Sequence, residues 1–163
     1  MRSTGKVRTL RGQITPVGGK ASKNLILNDQ LINRGLRVTG FFVWPETAAS
    51  NTQTFNAILS YAELGNADVE MNAGDNSQIG WAFQMQTGAI AATAPDVPEV
   101  APSSSGFFNQ LIDPDHIINR DLFISLRNST TRTYNYMVVC EFVELSDDEA
   151  IVTIIKENSQ SIE

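Results

Sequence analysis

The chain has 163 residues, 42% of them apolar and 18% charged, with a formal net charge of −6. That length suits one domain whose core can stand without metal or disulfides. A single Cys excludes an intramolecular disulfide and a Cys-based zinc site, and a single His excludes a two-His motif such as HExxH. The acidic balance gives the surface as a whole no attraction for nucleic acid. No apolar run is long enough for a membrane-spanning helix. Met1–Lys6 has no apolar stretch behind it, so no signal peptide is expected.

Charge is unevenly placed. Arg2, Lys6, Arg8, Arg11, Lys20 and Lys23 all precede Asp29, the first acid, while the stretch from Val38 to Asn119 holds no Lys or Arg. The sequence therefore reads as a basic N-terminal arm, residues 1–23, on an acidic body. Within it Lys6–Ile14 alternates, with Val7, Thr9, Arg11 and Gln13 on one face and Arg8, Leu10, Gly12 and Ile14 on the other. Neither face is strongly apolar, which suits an edge strand or an extended arm.

The body, residues 24–145, carries further strand signals. Leu36–Trp44 is rich in β-branched and aromatic residues and stops at Pro45; Thr54–Ala62 and Ile79–Gln86 follow. Gly88–Gly106 is rich in Ala, Pro and Ser without a period, so a long surface loop is predicted there. Asp121–Arg127 alternates Leu122, Ile124 and Leu126 against Phe123 and Ser125. Thr133–Leu145 places Tyr134, Tyr136, Val138, Cys140 and Phe142 on one face and Met137, Val139 and Val143 on the other. Residues 146–163 differ. Ser146 followed by Asp147, Asp148 and Glu149 fits a capping box, and Ala150, Ile151, Ile154 and Ile155 form an apolar stripe. A short C-terminal helix is predicted, covering one end of the body or docking on a neighbour. Strands, one long loop and a terminal helix make an all-β antiparallel sandwich, best fitted by a jelly roll.

Few constellations offer chemistry, and none requires a cofactor. Gly18-Gly19-Lys20-Ala21 fails the phosphate-loop pattern, which needs Gly at Ile14 and Ser or Thr at Ala21. Asp113, Asp115 and His116 are the candidate metal ligands; the competing reading is a Pro-directed turn with Asp side chains on local amides. Asp75-Asn76-Ser77 lacks the remaining oxygens of a calcium loop and reads as a turn. Cys140, in mid-strand, reads as a small core residue. Asn128-Ser129-Thr130 matches a glycosylation sequon and reads better as a β-turn.

The basic arm suits phosphates of nucleic acid, but its interleaved Val7, Leu10 and Ile14 suit the acidic body of a neighbouring copy better. The arm, the strand runs Leu36–Trp44, Asp121–Arg127 and Thr133–Leu145, and the Ala/Pro/Ser loop together resemble small single-jelly-roll structural proteins of icosahedral viruses. The resemblance is one of architecture. It implies a capsid or capsid-associated subunit located in a virion, with no catalytic residues, that assembles with copies of itself and other structural proteins; outside a virus, a cytoplasmic protein is expected. Candidate contacts are Arg2, Lys6, Arg8 and Arg11 on the arm and Ile151, Ile154 and Ile155 on the helix. The alternative is a carbohydrate-binding sandwich with Trp44, Trp81, Tyr61, Phe83, Phe107 and Phe108 as a stacking platform.

Overall fold

Among the described residues the chain forms nine strands: β1 (Arg2–Ile14), β2 (Lys20–Asn24), β3 (Arg34–Pro45), β4 (Phe55–Ser60), β5 (Gln78–Met85), β6 (Phe107–Ile112), β7 (Ile117–Ile118), β8 (Phe123–Asn128) and β9 (Tyr134–Glu144), followed by helix α1 (Asp147–Gln160). A computed structural model describes residues 1–25, 33–46, 55–64, 70–85, 107–119, 121–128 and 131–160. The predicted loop over 88–106 lies outside the described residues.

The strands form two antiparallel sheets, a first of order β1-β9-β3-β7 and a second of order β2-β8-β4-β5-β6. Leave out β6, and the other eight pair from the outside in: β1 with β9, β2 with β8, β3 with β7, β4 with β5. This is one long hairpin wound so that its rungs alternate between two sheets, which is the wrapping of a jelly roll.

Register decides what enters the core. On β9, Tyr134, Tyr136, Val138 and Cys140 point between the sheets, opposite Val38, Phe41 and Val43 of β3 and Leu10 and Ile14 of β1. The second sheet answers with Phe55, Ala57 and Leu59 of β4, Ile79 and Ala82 of β5 and Ile124 and Leu126 of β8. Each Val, Leu, Ile or Phe among them contributes about 1.5–3 kcal/mol on burial. The Phe55 and Tyr134 rings meet at 4.9 Å and a 54° tilt. The Asn128 side-chain amide donates to the Tyr134 hydroxyl, so two buried polar groups satisfy each other.

Residues 1–23 are folded into the body. Arg2–Ile14 pairs along β9 and Lys20–Asn24 along β8, as edge strands of different sheets. The passage between them is a tight turn in which the Val17 amide donates to the Lys20 carbonyl at 3.1 Å. Gly18 and Gly19 have φ of +66° and +89°, the pair of positive values that a type I′ turn demands. The two glycines that mimic a phosphate loop in sequence thus serve a hairpin.

Helix α1 starts as its sequence predicts. The Ser146 amide donates to Glu149 Oε2 at 2.9 Å, and the Glu149 amide returns a bond to Ser146 Oγ at 3.4 Å, a closed capping box. Ala150 is the buried anchor of the helix. It packs with Val143 and Leu145, and Ile117 of β7 joins the cluster.

Candidate assembly surface

Strand β1 is long for an edge strand and is exposed over most of its length. Its register gives Val7, Thr9, Arg11 and Gln13 to the outer face of the first sheet, opposite Glu141, Val139, Met137 and Asn135 of β9. Across β9, strand β3 adds Gly40, Phe42 and Trp44 to the same face. Val7, Val139, Met137, Phe42 and Trp44 make this face partly apolar, set among Thr9, Arg11 and Gln13 of β1 and Glu141 and Asn135 of β9, where an outer sheet face is usually polar throughout. Val7 is 64% exposed and Trp44 41%. A side chain at Gly40 would meet Phe42 Cε2 at 2.8 Å and Val139 Cβ at 3.3 Å, so the Phe42 ring occupies the space that glycine leaves.

Of the β1 cations, Arg11 lies on this face. Arg2, Lys6, Arg8 and Arg11 are all exposed, and none forms an ion pair among the described residues. Arg8 lies on the inward side opposite Cys140. Burial pushes the Cys140 thiol up to about 11, against a smaller opposing pull from Arg8. The thiol is therefore protonated and inert at neutral pH, in keeping with core packing.

Helix α1 sits at the end of the same face, because Val143 and Ile117, its anchors, are outer-face residues of β9 and β7. Its predicted apolar stripe divides. Ala150 is buried and Ile154 half-buried, while Ile151 and Ile155 remain 53% and 59% exposed. Tethers hold the helix in place at its start. The Met1 ammonium pairs with Glu149 Oε1 at 2.7 Å, and Asn33 Nδ2 donates to Asp147 Oδ1 at 2.8 Å. Hydrogen bonding from that ammonium and from Ser146 holds the Glu149 carboxyl down at about 2.

Between α1 and the turn before β7 lies an open cleft of about 420 Å³, floored by Ile117 and Leu145 and walled by His116, Asp148, Val152 and Lys156. Here the candidate metal ligands separate. Asp113 Oδ1 accepts from the Asp115 amide at 3.0 Å, a local turn bond. His116 stacks on Tyr61, with ring centroids 4.7 Å apart and planes 12° from parallel. Burial lowers the His116 pKa, opposed by Asp113 and assisted by Lys156, so the ring is neutral at pH 7. Among the described residues no three His, Cys, Asp or Glu side chains gather as a metal set. Asp75 likewise spends its carboxylate on its own turn, accepting from the Ser77 amide and hydroxyl and from Gln78 Nε2. Asn128 of the sequon is buried, its amide engaged with Tyr134; Ser129 and Thr130 lie outside the described residues.

The proposed aromatic platform is spread over several surfaces. Tyr61 is buried, Trp44 lies on the outer face of the first sheet, and Trp81 and Phe83 share a face of the second. The Trp81 indole donates to Gln78 Oε1 at 2.8 Å. The side chains of Phe107 and Phe108 lie outside the described residues. Sequence reasoning missed the outer-face cluster of Phe42, Met137 and Val139. Its signal was present as the second face of β9, where apolar residues stand in place of polar ones.

The class that fold and surface define is a jelly-roll sandwich with a partly apolar outer sheet face and an incompletely covered terminal helix. No protein-family model, no curated protein and no solved structure matches this chain.

Proposed function

We propose that this protein is a structural assembly subunit, of the virion capsid or capsid-associated kind, working by association with copies of itself and with other structural proteins. The observation that carries the reading is the half-finished packing of α1. Capped, tethered and anchored at Ala150, the helix still leaves Ile151 and Ile155 in water beside a partly apolar sheet face. Contiguous apolar surface of this sort on a soluble domain marks a site of association. The unpaired cations of β1 add a charged component suited to the acidic surfaces of a neighbour.

Light scattering on the full chain over a range of concentration and salt tests this. A defined oligomer is expected, loosening as salt rises and screens the β1 cations. A single-chain mass under every condition would overturn the reading. An increase in mass only on addition of nucleic acid would replace it with a phosphate-binding role for β1.

A further inference from the structure

We infer that α1 of one copy docks on the outer face of the first sheet of a second copy, head to tail. This rests on the assembly reading above and specifies which two surfaces meet.

The inserting element is one stripe of α1. Asp148, Ile151, Val152 and Ile155 follow the i, i+3, i+4, i+7 spacing and share a side of the helix, and all four are exposed. The stripe is apolar with a carboxylate at its N-terminal end. The receiving element is the band across β1, β9 and β3. One row of it runs Thr9, Val139, Gly40, and the next runs Arg11, Met137, Phe42. It is apolar in the middle with a guanidinium at the β1 side. The two surfaces match where apolar meets apolar and where Asp148 of the stripe would meet Arg11 of β1.

The contact is not made within one chain, where Ile151, Val152 and Ile155 stay exposed. The helix is fixed at its start by the Ser146 cap, by Met1 on Glu149 and by Asn33 on Asp147, and Ala150 is seated on Val143 at the end of the face. Asp148 and Val152 wall the cleft over Ile117 and Leu145 of the same chain, and Ile151 and Ile155 remain exposed, so the stripe does not cover the Val139 and Met137 rows of its own sheet. Pairing two β1 edges instead would gather Lys6, Arg8 and Arg11 of both copies along one seam, an arrangement that like charges disfavour. A contact between two different patches is heterologous, so each added copy presents a fresh helix and a fresh face, and the product is a ring or a growing array.

Two variants test the pairing on exposed positions of the full chain. Ile151→Glu/Ile155→Glu spoils the helix stripe, and Thr9→Glu/Arg11→Glu spoils the face. A wild-type-like far-ultraviolet spectrum and melting transition establish that each is folded. Each variant alone is expected to scatter as a single chain where the wild type is oligomeric. Mixed one to one, they are expected to give a species of twice the chain mass and nothing larger, because each retains the half the other lacks. If the face variant assembles like wild type, or if the mixture stays at single-chain mass, the docking is overturned while the assembly reading stands. If the wild type itself is a single chain at all concentrations and salts, both fall. Should the face variant not fold, Arg11→Glu alone serves. Weakened assembly that is restored by adding Asp148→Arg supports the pairing, and no change overturns it.

Discussion

The outer faces of the two sheets finish differently. On the second sheet Ile58 of β4 lies opposite Ser125 of β8 and Trp81 of β5, and Ile58, Ser60 and Ser125 are fully buried. On the first, the corresponding layer contains Val7 and Trp44, which stand in water. Both faces carry apolar residues at outward positions, so alternation alone does not separate them. The comparison teaches that burial of an outward residue depends on what lies above the sheet. Outward residues of the second sheet such as Ile58 are buried within this chain, and Val7 and Trp44 on the first are not.

Substitutions on the two faces should break the symmetry between them. Ile58→Ala, which removes a buried side chain, is expected to lower unfolding stability by about 2–5 kcal/mol. Val7→Ser, at an outward position of the open face, should change it by no more than about 0.5 kcal/mol in the single chain. Urea unfolding at low protein concentration measures both. Equal losses would mean that the open face is packed in solution. A smaller effect separates the helix from the sheet. Ser146→Ala removes the cap of α1 and should cost about 1 kcal/mol, read from the same transition.

The last comparison is made by pH and is expected to be the mildest. The carboxyl of Glu149 is held at about 2, below its ordinary 4.5. A depressed carboxyl stabilises the fold above its ordinary value, and that contribution disappears as pH falls through the folded value. Wild type and Glu149→Gln should therefore differ in urea midpoint above about pH 4.5 and converge as pH approaches about 2. A gap that persists at the acid end would show that Glu149 contributes by something other than its charge.

Much of this architecture is legible in the residues. The alternation in Thr133–Leu145 assigns every inward side chain of β9 correctly, and the Ser146–Glu149 box places the helix start. Leu122, Ile124 and Leu126 enter the core as their spacing predicts. The misses have physical causes. β2 is Lys-Ala-Ser-Lys-Asn, a polar edge strand held by its ladder to β8, and a ladder leaves no mark on composition. β7 spans two residues, too short for any period. The first 23 residues look like a free arm because their charge is visible and their pairing with β9 and β8 is not. Deleting them would strip an edge strand from each sheet, so charge substitutions within β1 are the cleaner probe of its role. The apolar character of the open face was visible in Met137, Val139 and Phe42, but which outward face stays uncovered is settled only by the tertiary arrangement.

The nesting of the strand pairs also sets a clock. Ser3 bonds to Glu141, 138 positions along the chain. At a synthesis rate of roughly 5–20 residues per second, β1 waits on the order of ten seconds for the strand it must join. Until β9 emerges from the ribosome, the band formed by β1, β9 and β3 does not exist, and α1, made later still, has nothing to rest on. A product cut short before β9 would therefore lack both the outer face of the first sheet and α1.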